Sequence, residues 1–98
     1  MKIKCVSFTF TRHAVAQMFD RKISTSDVKS VIQTGEVIQS YTDDKPYPSF
    51  LMLAYMNKRP IHVVIARNQQ TGECIIVTAY EPSPSLWDPD FKNRLKDR

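Results

Sequence analysis

The sequence holds only two glycines, two histidines and two cysteines. With glycine so scarce, no Gly-rich loop can cradle a phosphate in the manner of nucleotide-binding motifs. Cys5 and Cys74 stand alone, as do His13 and His62, with no C-x-x-C or H-x-x-x-H spacing. No zinc signature can be built from them. Both cysteines lie in apolar, strand-like runs, which reads as two buried free thiols in a reducing compartment. No apolar run approaches the roughly 18 residues of a membrane-spanning helix. The opening "MKIKCVSFTFTRH" lacks the long apolar core of a signal peptide. These absences lead to the expectation of a cytoplasmic protein with no membrane association. Internal repeats, low-complexity segments and a Ser-His-Asp spacing are also missing.

What is present suits one small domain spanning residues 1–98, too short for two independent cores. The formal net charge is +4, and such an excess of Lys and Arg attracts polyanions, nucleic acid first among them.

"IKCVSFTFT" (3–11) reads as a strand or extended lead-in. In "TRHAVAQMFDRKI", Ala14, Val15, Met18 and Phe19 form one apolar helical stripe, with Thr11 or Thr9 as N-cap. "STSDVKSVIQTGE" predicts a second helix. Ser24 and Asp27 form a capping box, Val28, Val31 and Ile32 the stripe, and Gly35 a left-handed stop. Beyond Gly35 the period becomes two, predicting strands at 36–42, 49–56, 60–67 and 73–81. Their short links imply an antiparallel meander. Asp88 followed by Pro89 suggests a last short helix, with Trp87, Phe91 and Leu95 as its stripe and Lys92, Arg94, Lys96 and Arg98 outside. The expected fold class is therefore α+β: two N-terminal helices packed on a four-stranded antiparallel sheet. An extra N-terminal strand and a short C-terminal helix are expected at its ends.

His13 lies opposite the apolar stripe of its helix, in the first turn, where the helix dipole disfavours a cation. A neutral imidazole there can serve as a general base. The competing reading is a plain surface histidine. His62, inside "HVVIAR", is more readily a buried, hydrogen-bonded group, unless its face of the sheet is an open groove. Thr78 and Tyr80 are polar candidates on the last strand, placed by alternation on one face with Cys74 and Ile76. Whether His62 shares their face depends on the hairpin "NQQTG". A four-residue loop, Gln69 to Gly72, sets His62 opposite Ala79 on the other face. A three- or five-residue loop sets it beside Thr78. Arg67, and Arg59 and Lys58 at the previous turn, can grip a phosphate or merely end strands. Arg12 and Arg21, flanking the first helix, carry the same two readings. "DDKPYPS" is a polar turn stiffened by prolines, suited to line a groove. His, Arg, Tyr and Thr suffice for RNA cleavage. There the substrate's 2′-hydroxyl is the nucleophile, and the protein moves protons and stabilises phosphate.

Taken in order, "TRHAVAQMFDRKISTSDVKSVIQTGEVI", "DDKPYPS", "HVVIAR" and "TGECIIVTAYEPSPSLWDPDF" resemble the family called domain of unknown function 4258. The resemblance covers residues 8 to 91. It implies a RelE-like fold and the toxin half of a type II toxin–antitoxin pair, held by a YgiT- or MqsA-type zinc-finger antitoxin. Such toxins cleave messenger RNA, in some cases on the ribosome, without a metal or cofactor. The resemblance marks His13, Arg21, His62, Arg67, Thr78 and Tyr80. The expected function is thus a metal-independent endoribonuclease. His13 or His62 would be base or acid, Tyr80 and Thr78 would orient the substrate, and Arg67, Arg21 and Arg12 would bind it. The alternative is a non-catalytic binding module that acts through a protein partner.

Overall fold

The computed structural model describes residues 2–95, so Lys96 and Arg98 lie outside the described residues. The chain runs β1 (Ser7–Phe10), α1 (Arg12–Arg21), α2 (Thr25–Thr34), β2 (Glu36–Tyr41), β3 (Ser49–Met56), β4 (Arg59–Arg67) and β5 (Glu73–Tyr80). The sheet has five strands in the order β1-β5-β4-β3-β2. Strands β2 to β5 form the expected antiparallel meander, but β1 joins its edge parallel to β5, so the sheet is mixed. A parallel neighbour needs a long connection, and here the whole of α1 to β4 supplies it. Among the described residues, no helix is long and apolar enough to cross a membrane.

Local chemistry explains the helix ends. Thr11 caps α1, its side chain accepting from the Ala14 N–H. Ser24 and Asp27 form the reciprocal capping box of α2. Helix α1 ends on Lys22, in the left-handed region, and the Arg59 guanidinium donates to the carbonyls of Arg21 and Lys22 while pairing with Glu81. That contact satisfies orphan carbonyls and a negative helix end together, so Arg59 acts as a cap.

Gly35 stops α2 for a different reason from the one its position suggests. Its backbone is extended (φ −80°, ψ −179°), not left-handed. A Cβ there would collide with the Val31 carbonyl oxygen and approach the Leu53 carbonyl oxygen to 2.7 Å. Glycine lets the helix end pass hard against β3. Gly35→Ala should therefore destabilise the domain by about 1–3 kcal/mol, the usual cost of overpacking. Urea unfolding measures it, and an unchanged midpoint would remove the close-approach explanation.

Both helices cover one face of the sheet. Ala14, Met18, Val28, Val31 and Ile32 pack on Phe50, Met52, Ile61, Val63, Ile65, Cys74, Ile76 and Ala79. Val15 and Phe19 do not join them. They are 52% and 85% exposed, so the expected stripe of α1 is split, with only Ala14 and Met18 turned inward. Cys5 and Cys74 are not free thiols; they form a disulfide that ties the N-terminal segment to β5. The cysteine-based ground for a reducing compartment is thereby lost.

The β4–β5 hairpin has the four-residue loop Gln69 to Gly72, and Asn68 bonds Glu73. Up to Ile65↔Ile76 the register is the one expected of that loop. A bulge then inserts Val77, so Val64 faces Thr78 and His62 faces Tyr80. One extra residue reverses all later side chains. Cys74 and Ile76 therefore face the helices, while Thr78 and Tyr80 join His62 on the opposite, open face.

Among the described residues after β5, the expected short helix does not form. Residues 82–95 fold instead into a small clasp against the open face. The Phe91 N–H donates to the Asp88 carbonyl, Asp88 and Asn93 are hydrogen-bonded, and Leu95 bonds Leu86. Asp88 and Pro89 occupy the first two positions of a β-turn, which favours the same residues as a helix start.

Candidate functional site

Two groups of polar side chains stand on the open face. One lies under the clasp. His62 is fully buried there, with Trp87 edge-on at 4.5 Å between ring centroids. Its Nε2 is 2.8 Å from the Phe91 carbonyl oxygen, and its Nδ1 is 3.2 Å from the Tyr80 hydroxyl. A carbonyl can only accept, so Nε2 carries the proton. A neutral imidazole then has a lone pair on Nδ1, and Tyr80 donates to it. Burial lowers the His62 pKa, opposed more weakly by the bond to Phe91. Phe91 presents that carbonyl from a left-handed backbone (φ 59°), which a phenylalanine seldom adopts.

Tyr80 is half-buried, and burial pushes its phenol pKa up. Tyr41 pushes the same way and Arg94 pulls it down, so the three side chains form one electrostatic cluster. Tyr41 is 43% exposed, and the Arg94 guanidinium lies 5.6 Å from the Trp87 ring centroid. A groove of about 750 Å³ runs between β2 and the clasp, lined by Gln39, Tyr41, Trp87, Asp88, Asn93 and Arg94 among others. Beside it, across β3 to β5, lies a second, apolar groove of about 440 Å³, walled by the Asp44–Tyr47 turn. The turn thus lines a groove as its sequence suggested.

Of the residues expected from sequence, His62, Tyr80 and Thr78 share the open face. The others lie apart from this cluster. His13 is exposed on α1, with Gln17 Nε2 3.5 Å from its own Nε2. Arg12 and Arg21, at the two ends of α1, are exposed as well. Arg67 points to the helix-covered side, where its Nε donates to the Lys4 carbonyl at 2.7 Å and helps to hold the N-terminal segment. Among the described residues, no group of three or more His, Cys, Asp or Glu is placed to hold a metal ion.

Sequence periodicity does not single out Tyr41, Arg94 or Trp87 as site residues. A helix from Asp88 would set Arg94 and Trp87 on opposite faces, and only the turn at Asp88 brings the arginine over the indole. Tyr41 carried a weak signal, as an aromatic at a strand end next to the proline-stiffened turn.

The fold defines a class: a small α+β domain with one sheet face under helices and the other partly covered by the C-terminal clasp. The chain belongs to the family described as "Domain of unknown function (DUF4258)", whose model matches residues 10–81. No curated protein and no solved structure gives a significant match. The family match stops one residue past Tyr80, so it takes in the His62–Tyr80 pair but not the clasp.

Proposed function

We propose that the domain binds single-stranded RNA on its open sheet face and cleaves it without a metal, as the toxin of a two-gene toxin–antitoxin pair. The observation that carries this reading is the Tyr80–His62 pair. A half-buried tyrosine donates a hydrogen bond to a buried neutral imidazole, and an arginine acts on the same phenol. As the 2′-hydroxyl of the substrate attacks phosphorus, its proton passes to the Tyr80 oxygen, and the Tyr80 proton passes to His62 Nδ1. The bond from phosphorus to the 5′-oxygen breaks, that oxygen takes a proton from water, and the hydroxide so formed is neutralised as His62 gives its extra proton back through Tyr80. The products are a 2′,3′-cyclic phosphate and a 5′-hydroxyl. Arg94 offers paired N–H donors to the phosphate oxygens. His62 never touches substrate; it positions and discharges Tyr80. The net charge of +4 favours a polyanionic substrate.

The test is incubation of purified protein with messenger RNA in EDTA, with and without ribosomes. New cyclic-phosphate ends are expected. RNA intact under both conditions would end the nuclease reading.

A second reading is favoured by Val15 and Phe19. Two large apolar side chains open to solvent on α1 suit a protein partner, the target of a non-catalytic module. Under that reading, growth arrest on expression would persist in a Tyr80→Phe variant and disappear in Phe19→Asp.

A further inference from the structure

We propose that the apolar groove beside the clasp is a nucleobase subsite, and that its occupant is a guanine of the RNA strand. This rests on the RNA-binding reading above. The floor is apolar and comes from two strands: Val64 and Ala66 of β4, and Ile75 and the bulge residue Val77 of β5. One wall is Tyr47. Its ring is held by a hydrogen bond from Asn68 Nδ2 to the hydroxyl, at 3.2 Å, and Asn68 Oδ1 also accepts from the backbone of Gln70 and Thr71. The aromatic wall is therefore fixed before any ligand arrives. An apolar floor with a fixed aromatic ring suits the flat face of a base, which stacks on such side chains in single-strand recognition.

The rim supplies the edge chemistry. Asp44 and Lys45 both line the groove, and Asp44 Oδ2 accepts from the Ser49 hydroxyl at 2.5 Å. An ionised carboxylate only accepts and an ammonium only donates. Guanine presents two adjacent donors, N1–H and N2–H, beside the O6 acceptor, and so matches a carboxylate next to an ammonium. Uracil presents one donor flanked by two carbonyl oxygens, which a carboxylate repels. Adenine and cytosine each offer the carboxylate a single amino group. The position agrees with the reaction. Tyr41, in the polar groove, pairs across strands with Ser49, at the edge of the apolar one. The two grooves are thus about one strand spacing, roughly 5 Å, apart, close enough for one nucleotide to place its base in one and its phosphate beside the other.

Binding of GMP, AMP, CMP and UMP to the full chain, followed by amide chemical shifts, tests the assignment. GMP should bind tightest, about tenfold better than UMP, within the usual range of hydrogen-bonded base discrimination. The shifts should centre on Ala66, Ile75 and Val77. Asp44→Asn should bring the GMP-to-UMP ratio close to one, and Ala66→Leu, which fills the floor, should weaken all four nucleotides. Equal binding of the four, shifts centred elsewhere, or an Asp44→Asn variant that keeps the guanine preference would overturn it. The two proposals fail separately. GMP binding with RNA left intact in EDTA removes the nuclease reading and keeps the base site. RNA cutting whose sequence preference ignores Asp44→Asn removes the base site and keeps the nuclease.

Discussion

Tyr80→Phe should reduce RNA cleavage by about 10²-fold or more, the scale of a positioned proton-transfer group, while RNA binding changes little. The substitution removes one oxygen and leaves the ring in place. Its structural cost is the lost partner of His62 Nδ1, about 1–2 kcal/mol for one buried acceptor left unpaired. A domain that still unfolds cooperatively but no longer produces cyclic-phosphate ends would separate chemistry from folding. The effect should fall on kcat, because the proton moves only in the reaction, whereas Arg94→Ala should raise KM as well, through weaker phosphate binding. His13→Ala should leave the rate unchanged, since His13 is exposed on α1, which covers the sheet face opposite to Tyr80. Wild-type turnover by the Tyr80→Phe variant, or loss of turnover on His13→Ala, would move the proton-transfer role off the sheet.

The contrast between the two histidines shows what periodicity can and cannot carry. The helices, the four meander strands and the hairpin at Asn57 and Lys58 follow from local signals: caps, alternation, and two residues with positive φ in a tight turn. The loop after β4, whose length the sequence left open between three, four and five residues, has four. What alternation could not contain was Val77. A bulge is one residue of slack, and it exchanged the partners of Thr78 and Tyr80 without any glycine or proline to mark it. The parallel pairing of β1 with β5 escaped because it is long-range, and the disulfide followed from it: only that pairing brings Cys5 near Cys74. The cover over His62 was hidden differently. Asp88 and Pro89 serve a helix start and a β-turn equally, and the turn won because it buries Trp87 on the sheet. Much of the candidate site therefore arises where β5 shifts register and where the chain folds back.

His62→Ala should cost about 3–5 kcal/mol, because it removes a buried ring and strands the partners of both its nitrogens. It should also free the clasp, since the Phe91 carbonyl loses its donor and Trp87 its edge contact. Trp87 is the single tryptophan, so a red shift of its emission reports the opening directly. Acid should weaken the same contact in the wild type, and the sign follows from burial. His62 titrates below its ordinary value of 6.5 in the folded chain. Above 6.5 it is neutral whether the chain is folded or not, and its contribution to stability is complete. As pH falls below 6.5 the unfolded chain takes up a proton that the folded chain refuses. Stability then drops by at most about 1.4 kcal/mol per pH unit from this group, until the folded pKa is passed. In a His13→Gln background, where His62 is the only histidine, the urea midpoint should fall between pH 7.5 and pH 5.5. With His62→Gln added, that difference should shrink. Equal midpoints at the two pH values in the first protein would mean that His62 accepts its proton as readily folded as unfolded, and the neutral imidazole that receives the Tyr80 proton would have to be abandoned with it.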